Sequence, residues 1–358
     1  LGGAVPVYVN PGVNKELGIP LGMTVEDVEK AILENPDAKA VFVNNPTYYG
    51  VCSDIKRIAD LAHAHGMYLL ADEAHGTHFY FGDNMPLAGM KAGADFAAVS
   101  MHKSGGSLTQ SSFLLTADTV NEGYVRQIIN LMQTTSGSYL LMSSLDISRR
   151  NLALHGKEIF AKVQSYAQYM RDEINEIGGY YAFSKELCDG GAFYDFDVTK
   201  LSIHTRDIGL AGIEVYDILR DRYGIQIEFG DIGNILAYVS IGDRELYLDR
   251  LIGALNDIKR IYSKDKTGML DHEYINPIVK LSPQDAFYGN KKSVPIERSS
   301  GKISGEFVMC YPPGIPILAP GEQITDEILA YIKYAGDKGC FLTGTQDLEI
   351  KNIMILDD

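Results

Sequence analysis

The chain has 358 residues, of which 46% are hydrophobic and 22% charged, as in an ordinary soluble globular protein with room for two domains. Its 32 basic and 47 acidic residues leave a formal net charge of −15, which argues against nucleic acid binding because phosphate recognition needs clustered lysine and arginine. The four cysteines are far apart in sequence and no apolar run approaches membrane-spanning length. We therefore expect a cytoplasmic protein without metal sites, disulfides or membrane insertion.

The first part of the chain alternates apolar runs with amphipathic segments. The predicted elements are, in chain order, a strand at 5–9, a helix at 24–35, a strand at 40–43, a helix at 53–65, and strands at 67–71, 95–100 and 112–116. Strands separated by helices are typical of a mostly parallel sheet with right-handed crossovers. In such a sheet, ligands gather at the carboxyl ends of the strands.

The second part of the chain has a different pattern. Helices are expected at 117–132 and 140–177, the second interrupted near His155 and Gly156, and at 209–223 and 245–262, with short strands at 193–197 and 235–239. This is an α+β arrangement, and a polar linker at 263–268 follows it. We predict three domains: a large domain at 1–180, a small α+β domain at 181–265 and a C-terminal domain at 266–358.

Two polar residues follow apolar runs in a way that indicates chemistry. Lys103 stands just after the run at 94–99, and Asp72 just after the run at 67–70, so both are expected at the carboxyl edge of the sheet. Pyridoxal phosphate (PLP) needs a lysine amine for covalent attachment, a carboxylate beside its ring nitrogen, and small polar groups for its phosphate. The pattern predicts a PLP site. The structural alternatives are a solvated loop lysine and an aspartate that caps the following turn.

Five stretches of the chain resemble, in the same order, the Orn/Lys/Arg decarboxylase family of PLP enzymes. They are N-P-T-Y-Y-G at 45–50, D-E-A-H-G-T-H at 72–78, S-M-H-K-S-G-G-S-L-T-Q at 100–110, L-M-Q-T-T-S at 131–136, and Y-P-P-G-I-P at 311–316 with P-G-E at 320–322. The resemblance is to the shorter, Gram-positive-type members. It implies an α/β fold of the PLP-dependent transferase type, a mostly parallel sheet with flanking helices, followed by smaller α+β C-terminal domains. It also implies a further segment upstream that forms one wall of the cofactor pocket.

The resemblance assigns roles around the predicted lysine. Lys103 would hold PLP covalently, and Asp72 would sit against the ring nitrogen. Ala74 would let the ring lie against the backbone, and His75 would donate to an oxygen or to the phosphate of the cofactor. The alternative for His75 is a loop histidine whose polar atoms are satisfied by the backbone.

Two further pairs of residues belong to the expected cofactor site. Ser100 and His102 are implied to bind the phosphate, and in an extended segment both would point to the same side, because side chains alternate along a strand. Asn45 and Thr47 belong to an Asn-Pro-Thr turn that, in this fold, lies near the 3-oxygen of PLP or the substrate carboxylate. A plain turn is an equal alternative for this pair.

The remaining expected site residues lie later in the chain. Thr135 and Ser136 are implied to approach the phosphate in the partner subunit's site, which makes a homodimer or a higher homo-oligomer the expected assembly. Tyr311 is placed by the resemblance near the entrance of the active site, and Glu322 is the carboxylate expected to recognise the distal amine of the substrate.

The implied activity is PLP-dependent decarboxylation of a basic amino acid, with arginine as the first choice, then lysine, then ornithine. A PLP aminotransferase or lyase of the same fold is one alternative. Such an enzyme would be expected to place a carboxylate-binding arginine late in the chain, where Arg298 is the only candidate. A truncated, non-catalytic member of the fold is the other alternative.

Overall fold

The computed structural model describes residues 3–265, 275–311, 315–337 and 339–357. Its helices are α1 (Val25–Glu34), α2 (Ile55–Ala64), α3 (Gly89–Ala92), α4 (Met101–Ser104), α5 (Glu122–Met132), α6 (Tyr139–Ile177), α7 (Gly212–Tyr223), α8 (Glu245–Tyr262), α9 (Pro283–Tyr288) and α10 (Asp326–Asp337). Within the described ranges, none of these helices is both long enough and apolar enough to span a bilayer.

The strands of the described residues are mostly short. They are β1 (Val13–Asn14), β2 (Ile19–Pro20), β3 (Ala40–Asn44), β4 (Val51–Cys52), β5 (Tyr68–Asp72), β6 (Phe96–Val99), β7 (Phe113–Thr116), β8 (Tyr181–Ala182), β9 (Asp195–Phe196), β10 (Lys200–His204), β11 (Phe229–Gly230), β12 (Asn234–Tyr238), β13 (Lys291–Pro295), β14 (Val308–Tyr311), β15 (Ile315–Leu318), β16 (Phe341–Thr343) and β17 (Asn352–Leu356). The fold is mixed α/β.

The chain divides into two compact units. The larger unit comprises Val9–Ile203 and Ala237–Asp257, and the smaller unit comprises Leu1–Tyr8, His204–Leu236 and Ile258–Asp358. The two predicted domain boundaries, after residues 180 and 265, stay a prediction.

The larger unit is organised by a four-stranded sheet in the order β3-β5-β6-β7. Strands β3, β5 and β6 are parallel, and β7 pairs antiparallel with β6. The helical connections α1 and α2 begin with side-chain caps: Thr24 caps α1 by accepting a hydrogen bond from the Asp27 amide, and Asp54 caps α2 in the same way through Arg57. The expectation of a mostly parallel sheet is therefore confirmed, with one antiparallel edge strand.

One face of this sheet carries the core of the larger unit. Val43, Leu69, Ala97 and Val99 point to this face and are at most 3% exposed. They pack in one cluster with the apolar stripes of α1 and α2, which include Val28, Ile32, Ile58 and Ala62. Burial of these methyl and methylene groups is the main stabilising term for the unit.

The opposite face of the same sheet is exposed. Alternate residues along the strands point to it, and Phe42 is 61% exposed, Tyr68 54% and Leu114 47%. Parallel sheets are usually covered on both faces, and the near-continuous apolar runs of these strands are typical of such burial. Within the described residues, this apolar face has no cover comparable to α1 and α2.

Three local predictions are wrong. Residues 5–9 form no strand, since within the described ranges no ladder pairs with them. Helix α6 runs unbroken through Gly156, because the missing Cβ lets the helix approach Phe81, whose Cβ would lie 2.8 Å from an added methyl group. Residues Met101–Ser104 form a helical turn instead of an extended segment, with the Gly105 amide donating to the Met101 carbonyl at 2.8 Å.

The smaller unit has its own core of aliphatic residues. Val308, Leu318, Ile328, Ile332, Ile353 and Ile355 are buried in one cluster. The antiparallel pairs β13–β17, β14–β15 and β14–β16 supply most of these side chains, and α10 covers them. This supports the expected α+β character of the C-terminal part of the chain.

Candidate active site

The predicted residues meet at the carboxyl ends of β3, β5 and β6. The Asn45 amide donates to the Asp72 carbonyl at 2.9 Å, and the Glu73 amide donates to the Ala98 carbonyl at 2.9 Å. These bonds continue the sheet ladder by one residue beyond the strands, so the loops leave the sheet side by side. The polar residues that follow each strand are thereby held at one edge.

Asp72 ends β5 and is half-buried. Its Oδ1 accepts a hydrogen bond from the Ala74 amide at 3.0 Å, so the capping alternative describes one of its two oxygens. The other oxygen, Oδ2, makes no hydrogen bond with the described residues. Asp72 Oδ2 can therefore accept a hydrogen bond from a further donor. Ala74 lies on the turn that Asp72 caps.

Lys103 lies in the helical turn α4 and contacts His75. The Lys103 Nζ is 3.1 Å from the His75 Nε2, across 28 residues of sequence. Because the segment turns after Val99, Ser100 and His102 do not alternate as in a strand, and the predicted shared side is wrong for this pair. The contact between Lys103 and His75 is made by the turn.

His75 is the centre of the cluster. Its ring is buried, lies 4.4 Å from the Tyr48 ring between centroids, and has Lys103 on Nε2 and Lys200 on Nδ1, the latter at 3.0 Å. Burial, followed by the charges of Lys200 and Lys103, lowers the pKa of His75 far below its usual range. His75 is therefore a neutral imidazole, and it is not satisfied merely by backbone.

Ser100 and His102 have different environments. The Ser100 carbonyl accepts a hydrogen bond from the Thr77 hydroxyl at 2.9 Å. The His102 Nδ1 lies 2.9 Å from the Ser111 carbonyl and donates to it, so Nε2 can donate to a phosphate only when the ring is an imidazolium. Ser104, one residue after the lysine, has a buried hydroxyl with no hydrogen-bond partner among the described residues.

The Asn45–Thr47 turn has the hydrogen bonds of a plain turn, and its expected role beside a cofactor or substrate stays a prediction. The Thr47 hydroxyl accepts from the Val51 amide at 3.1 Å, as a plain turn requires. Asn45 is fully buried after β3, precedes a cis proline, and its Oδ1 accepts from the Ser53 amide at 2.9 Å. Its side-chain amide nitrogen, Nδ2, has no partner among the described residues, so the turn presents a buried donor beside Asp72.

Three other predicted residues have hydrogen bonds or exposure of their own. Thr135 and Ser136 are exposed on the connection between α5 and α6, where the Ser136 amide donates to the Thr134 hydroxyl. Glu322 is buried in the smaller unit, and its Oε2 accepts from the Ala319 amide at 2.9 Å. Burial raises the pKa of the Glu322 carboxyl.

Part of the proline-rich motif lies outside the described residues. Tyr311 is the last residue of β14, and residues 312–314 follow it. The expected role of Tyr311 at the site entrance stays a prediction.

Sequence reasoning missed a buried polar network behind His75. Lys200 begins β10 and is 1% exposed. His78 is fully buried with its Nε2 2.9 Å from the Asp197 Oδ2, and the Thr199 hydroxyl donates to the Asp197 Oδ1 at 2.7 Å. The strand Lys200–His204 alternates polar residues with Leu201 and Ile203, so its pattern contains no signal that Lys200 is buried.

Glu73 is a second buried carboxyl at this edge. Its Oε1 accepts from the Gly89 amide at 2.7 Å, and the Tyr80 hydroxyl donates to its Oε2. Burial raises the pKa of Glu73 to about 7, and the neighbouring Asp72 adds to the rise, against the opposing effect of the two hydrogen bonds. Glu73 thus anchors the loop between β5 and α3 instead of facing the cluster.

Two protein-family models match the amino-acid sequence of this chain. The model for the major domain of Orn/Lys/Arg decarboxylases matches residues 1–246, and the model for their C-terminal domain matches residues 267–343. The chain belongs to the Orn/Lys/Arg decarboxylase family. The predicted family and the general activity, decarboxylation of a basic amino acid, are thereby confirmed, and the aminotransferase alternative is disfavoured.

Relatives and solved structures agree with this membership in the Orn/Lys/Arg decarboxylase family. The chain is 42% identical over 358 residues to an arginine decarboxylase of Bacillus subtilis, and 42% identical over 361 residues to one of Halalkalibacterium halodurans. In both cases 99% of this chain matches 73% of the relative. The Francisella novicida lysine decarboxylase has the same fold, with a TM-score of 0.79 at 21% identity over 98% of this chain and 63% of that one.

Proposed function

We propose that the protein is a PLP-dependent decarboxylase that acts on a basic amino acid, with arginine first, then lysine, then ornithine. The observation that carries the proposal is the convergence of the Lys103 amine, the His75 ring and the Asp72 carboxylate at the ends of neighbouring parallel strands. The arginine decarboxylases at 42% identity support arginine as substrate. The net charge of −15 also favours a cationic substrate, although acidic surfaces commonly serve solubility alone.

The residues at this edge fit PLP. Asp72 offers an unused carboxylate oxygen to a protonated ring nitrogen, and Asn45 Nδ2 and Ser104 Oγ are buried polar atoms without protein partners. Buried polar groups are normally hydrogen-bonded, and an unpaired one costs about 1–3 kcal/mol. Two such atoms, one of them in the residue after Lys103, support a polar small molecule as their partner.

When bound, PLP supplies an electron sink for the bond that breaks at the substrate Cα. Lys103 is the residue that would hold it covalently, and Asp72 would keep its ring nitrogen protonated. His75, as a neutral ring, is able to donate or accept one proton beside the Lys103 amine. Ala74, Ser100 and His102 complete the proposed cofactor site, with the last two toward the phosphate.

The proposal is tested by spectroscopy and by product analysis. The full-length protein should show the visible absorbance of lysine-bound PLP and should release agmatine and CO2 from arginine faster than the corresponding amines from lysine or ornithine. Glu322→Gln and Thr47→Val would then test the proposed substrate contacts through KM. A protein that binds PLP and transfers amino groups without releasing CO2 would contradict the decarboxylase assignment, and one without either activity would support the non-catalytic alternative.

A homodimer or higher homo-oligomer, located in the cytoplasm, is also proposed. Helix α5 has no buried residue, and the chain around the α5–α6 connection exposes Leu131 by 80%, Met132 by 81% and Tyr139 by 84%. An apolar helix face of this kind is unusual on a monomer and is typical of an interface between subunits. Thr135 and Ser136 lie within this surface, which supports their proposed role in the partner's site.

Light scattering tests the assembly. Glutamate at Leu131 and Met132 should shift the protein toward monomer, whereas the matched change Leu246→Glu on exposed α8 should not. Subunits with Lys103→Ala can be co-expressed with subunits that carry Thr135→Ala and Ser136→Ala. Part of the activity should return in the mixed dimer, because one of its two sites combines an unchanged Lys103 from one subunit with unchanged Thr135 and Ser136 from the other. A dimer unaffected by Leu131 and Met132 changes would place the interface elsewhere.

A further inference from the structure

Lys200 is a buried lysine that the proposed reaction does not yet use. Its ammonium is 3.0 Å from His75 Nδ1, on the side of the ring opposite Lys103, and 3.6 Å from the centroid of the Tyr238 ring. Lysine is almost never fully buried without a partner, since burial strips the ammonium of its hydration. We therefore expect the contacts of Lys200 with its neighbours to offset the free-energy cost of its desolvation.

The backbone around Lys200 holds it against the site. Strands β4 and β9 pair antiparallel, and the Asp197 amide donates to the Gly50 carbonyl at 2.8 Å. Gly50 has a φ of +98°, and a Cβ built on it would lie 2.9 Å from both Cβ and Cγ of Lys200. The glycine lets the Asn-Pro-Thr turn close onto the lysine stem, which leaves the stem little room to move.

Two neighbours favour the charged form of Lys200. The face of the Tyr238 ring attracts a cation. Asp197 supplies negative charge nearby: burial opposes its ionisation, but His78, Lys200 and Thr199 outweigh burial and lower the pKa of Asp197. His78 and Thr199 occupy both Asp197 oxygens, so this carboxylate is fixed in place.

The geometry decides where the proton of His75 lies. An ammonium has donors and no acceptor, so Lys200 donates to Nδ1, and neutral His75 then carries its proton on Nε2. The Nε2 proton then faces Lys103 Nζ at 3.1 Å and can donate to that nitrogen when Lys103 is a neutral amine. That is the form of a lysine that attacks a carbonyl carbon.

We propose that Lys200 is a positioning residue that sets the tautomer of His75, with the proton on Nε2, and thereby directs a donor toward the Lys103 amine. The consequence for catalysis rests on the proposed function, whereas the tautomer itself does not. Lys200 acts through His75 and need not touch substrate or cofactor.

Nitrogen-15 NMR of histidine side chains in the cofactor-free protein tests this inference directly. His75→Gln identifies the signals of His75. In the wild-type chain near neutral pH, His75 should be a single neutral species with its proton on Nε2. In Lys200→Met the proton should move largely to Nδ1, because the Lys103 ammonium then donates to Nε2.

Lys103→Ala is the matched control, since it removes the other lysine that contacts the same ring. It should leave the proton on Nε2, because Lys200 still donates to Nδ1. If Lys103→Ala changes the tautomer and Lys200→Met does not, the inference is wrong.

If Lys200→Met fails to fold, the wild-type spectrum still tests the predicted tautomer of His75. A His75 ring that is charged, or that carries its proton on Nδ1, would overturn the inference. Failure of the proposed function looks different: a protein with the expected tautomer that neither binds PLP nor releases CO2 would keep the role of Lys200 toward His75 and lose the decarboxylase.

Discussion

The sheet of the larger unit is incomplete in two places, at its carboxyl edge and on one face. At the edge, Asp72 Oδ2, Asn45 Nδ2 and Ser104 Oγ lack partners within the described residues. On the face, Phe42, Tyr68 and Leu114 expose large apolar side chains. The edge presents a few polar atoms, whereas the face presents a broad apolar surface.

The carboxyl edge and the exposed face of the sheet are therefore expected to bind different kinds of molecule. Unpaired polar atoms near one lysine are satisfied by a small polar ligand with matching donors and acceptors. An apolar sheet face gains free energy in proportion to the area removed from water, which favours a polypeptide cover over a small ligand. The predictions below separate these two places experimentally.

The largest effect is expected at the edge, from Lys103→Ala in the full-length protein. The change removes the amine that would hold PLP, so the visible absorbance of lysine-bound PLP and the release of CO2 should both be lost. Lys91→Ala, at an exposed position of α3, is the matched control and should keep both. Near-normal turnover in Lys103→Ala would end the proposal of a PLP site.

Asp72→Asn should have the next largest effect, a fall in kcat of about 10²–10⁴-fold with an unchanged fold. Asparagine keeps an oxygen for the Ala74 amide but removes the charge that would hold the ring nitrogen protonated. Steady-state kinetics and thermal melting are measured together. Unchanged kcat with a lowered Tm would make Asp72 a structural cap.

The two faces of the sheet should differ in mutational cost. Leu69→Ala, on the covered face, should lower the free energy of unfolding by about 2–5 kcal/mol, because it leaves a cavity. Phe42→Ala, on the exposed face, should lower it by less than about 1 kcal/mol. Urea unfolding of the 358-residue chain measures both. Equal losses would show that the face is covered in solution.

The smallest effect is a pH dependence of stability from Glu73. An unfolded glutamate ionises near pH 4.5, whereas folded Glu73 ionises at about 7. The folded state therefore binds the proton of Glu73 more tightly than the unfolded state does. The contribution of Glu73 to the free energy of unfolding, about 3 kcal/mol, is fully present below pH 4.5 and is lost as the pH rises through 7.

Glu73→Gln removes the ionisation and should remove this decline. Urea unfolding at about pH 5 and about pH 8 measures it, and the loss between the two should be smaller in the variant than in the wild type. Glu29→Gln, exposed on α1, is the control and should follow the wild type. Parallel curves for all three proteins would contradict the assignment.

Much of the local structure was predictable because its signals are local. The Thr24 cap, the apolar runs of β3, β5 and β6, and the positions of Asp72 and Lys103 just beyond strand ends follow from short patterns in the chain. Helix α8 begins and ends at the predicted residues, Glu245 and Tyr262. Parallel pairing then brings strand ends to one edge, which is a general property of such sheets.

The amino-acid sequence by itself determined the alternation of strands and helices, the family, and a candidate lysine and carboxylate at the sheet edge. The tertiary structure decided the helical turn at Met101–Ser104, the unbroken helix at Gly156, and the contact of His75 with Lys200, which are 125 residues apart. It also decided that one face of the sheet stays exposed. The physical reason is that periodicity and capping act within a few residues, whereas hydrogen-bond partners and burial depend on segments that only folding brings together.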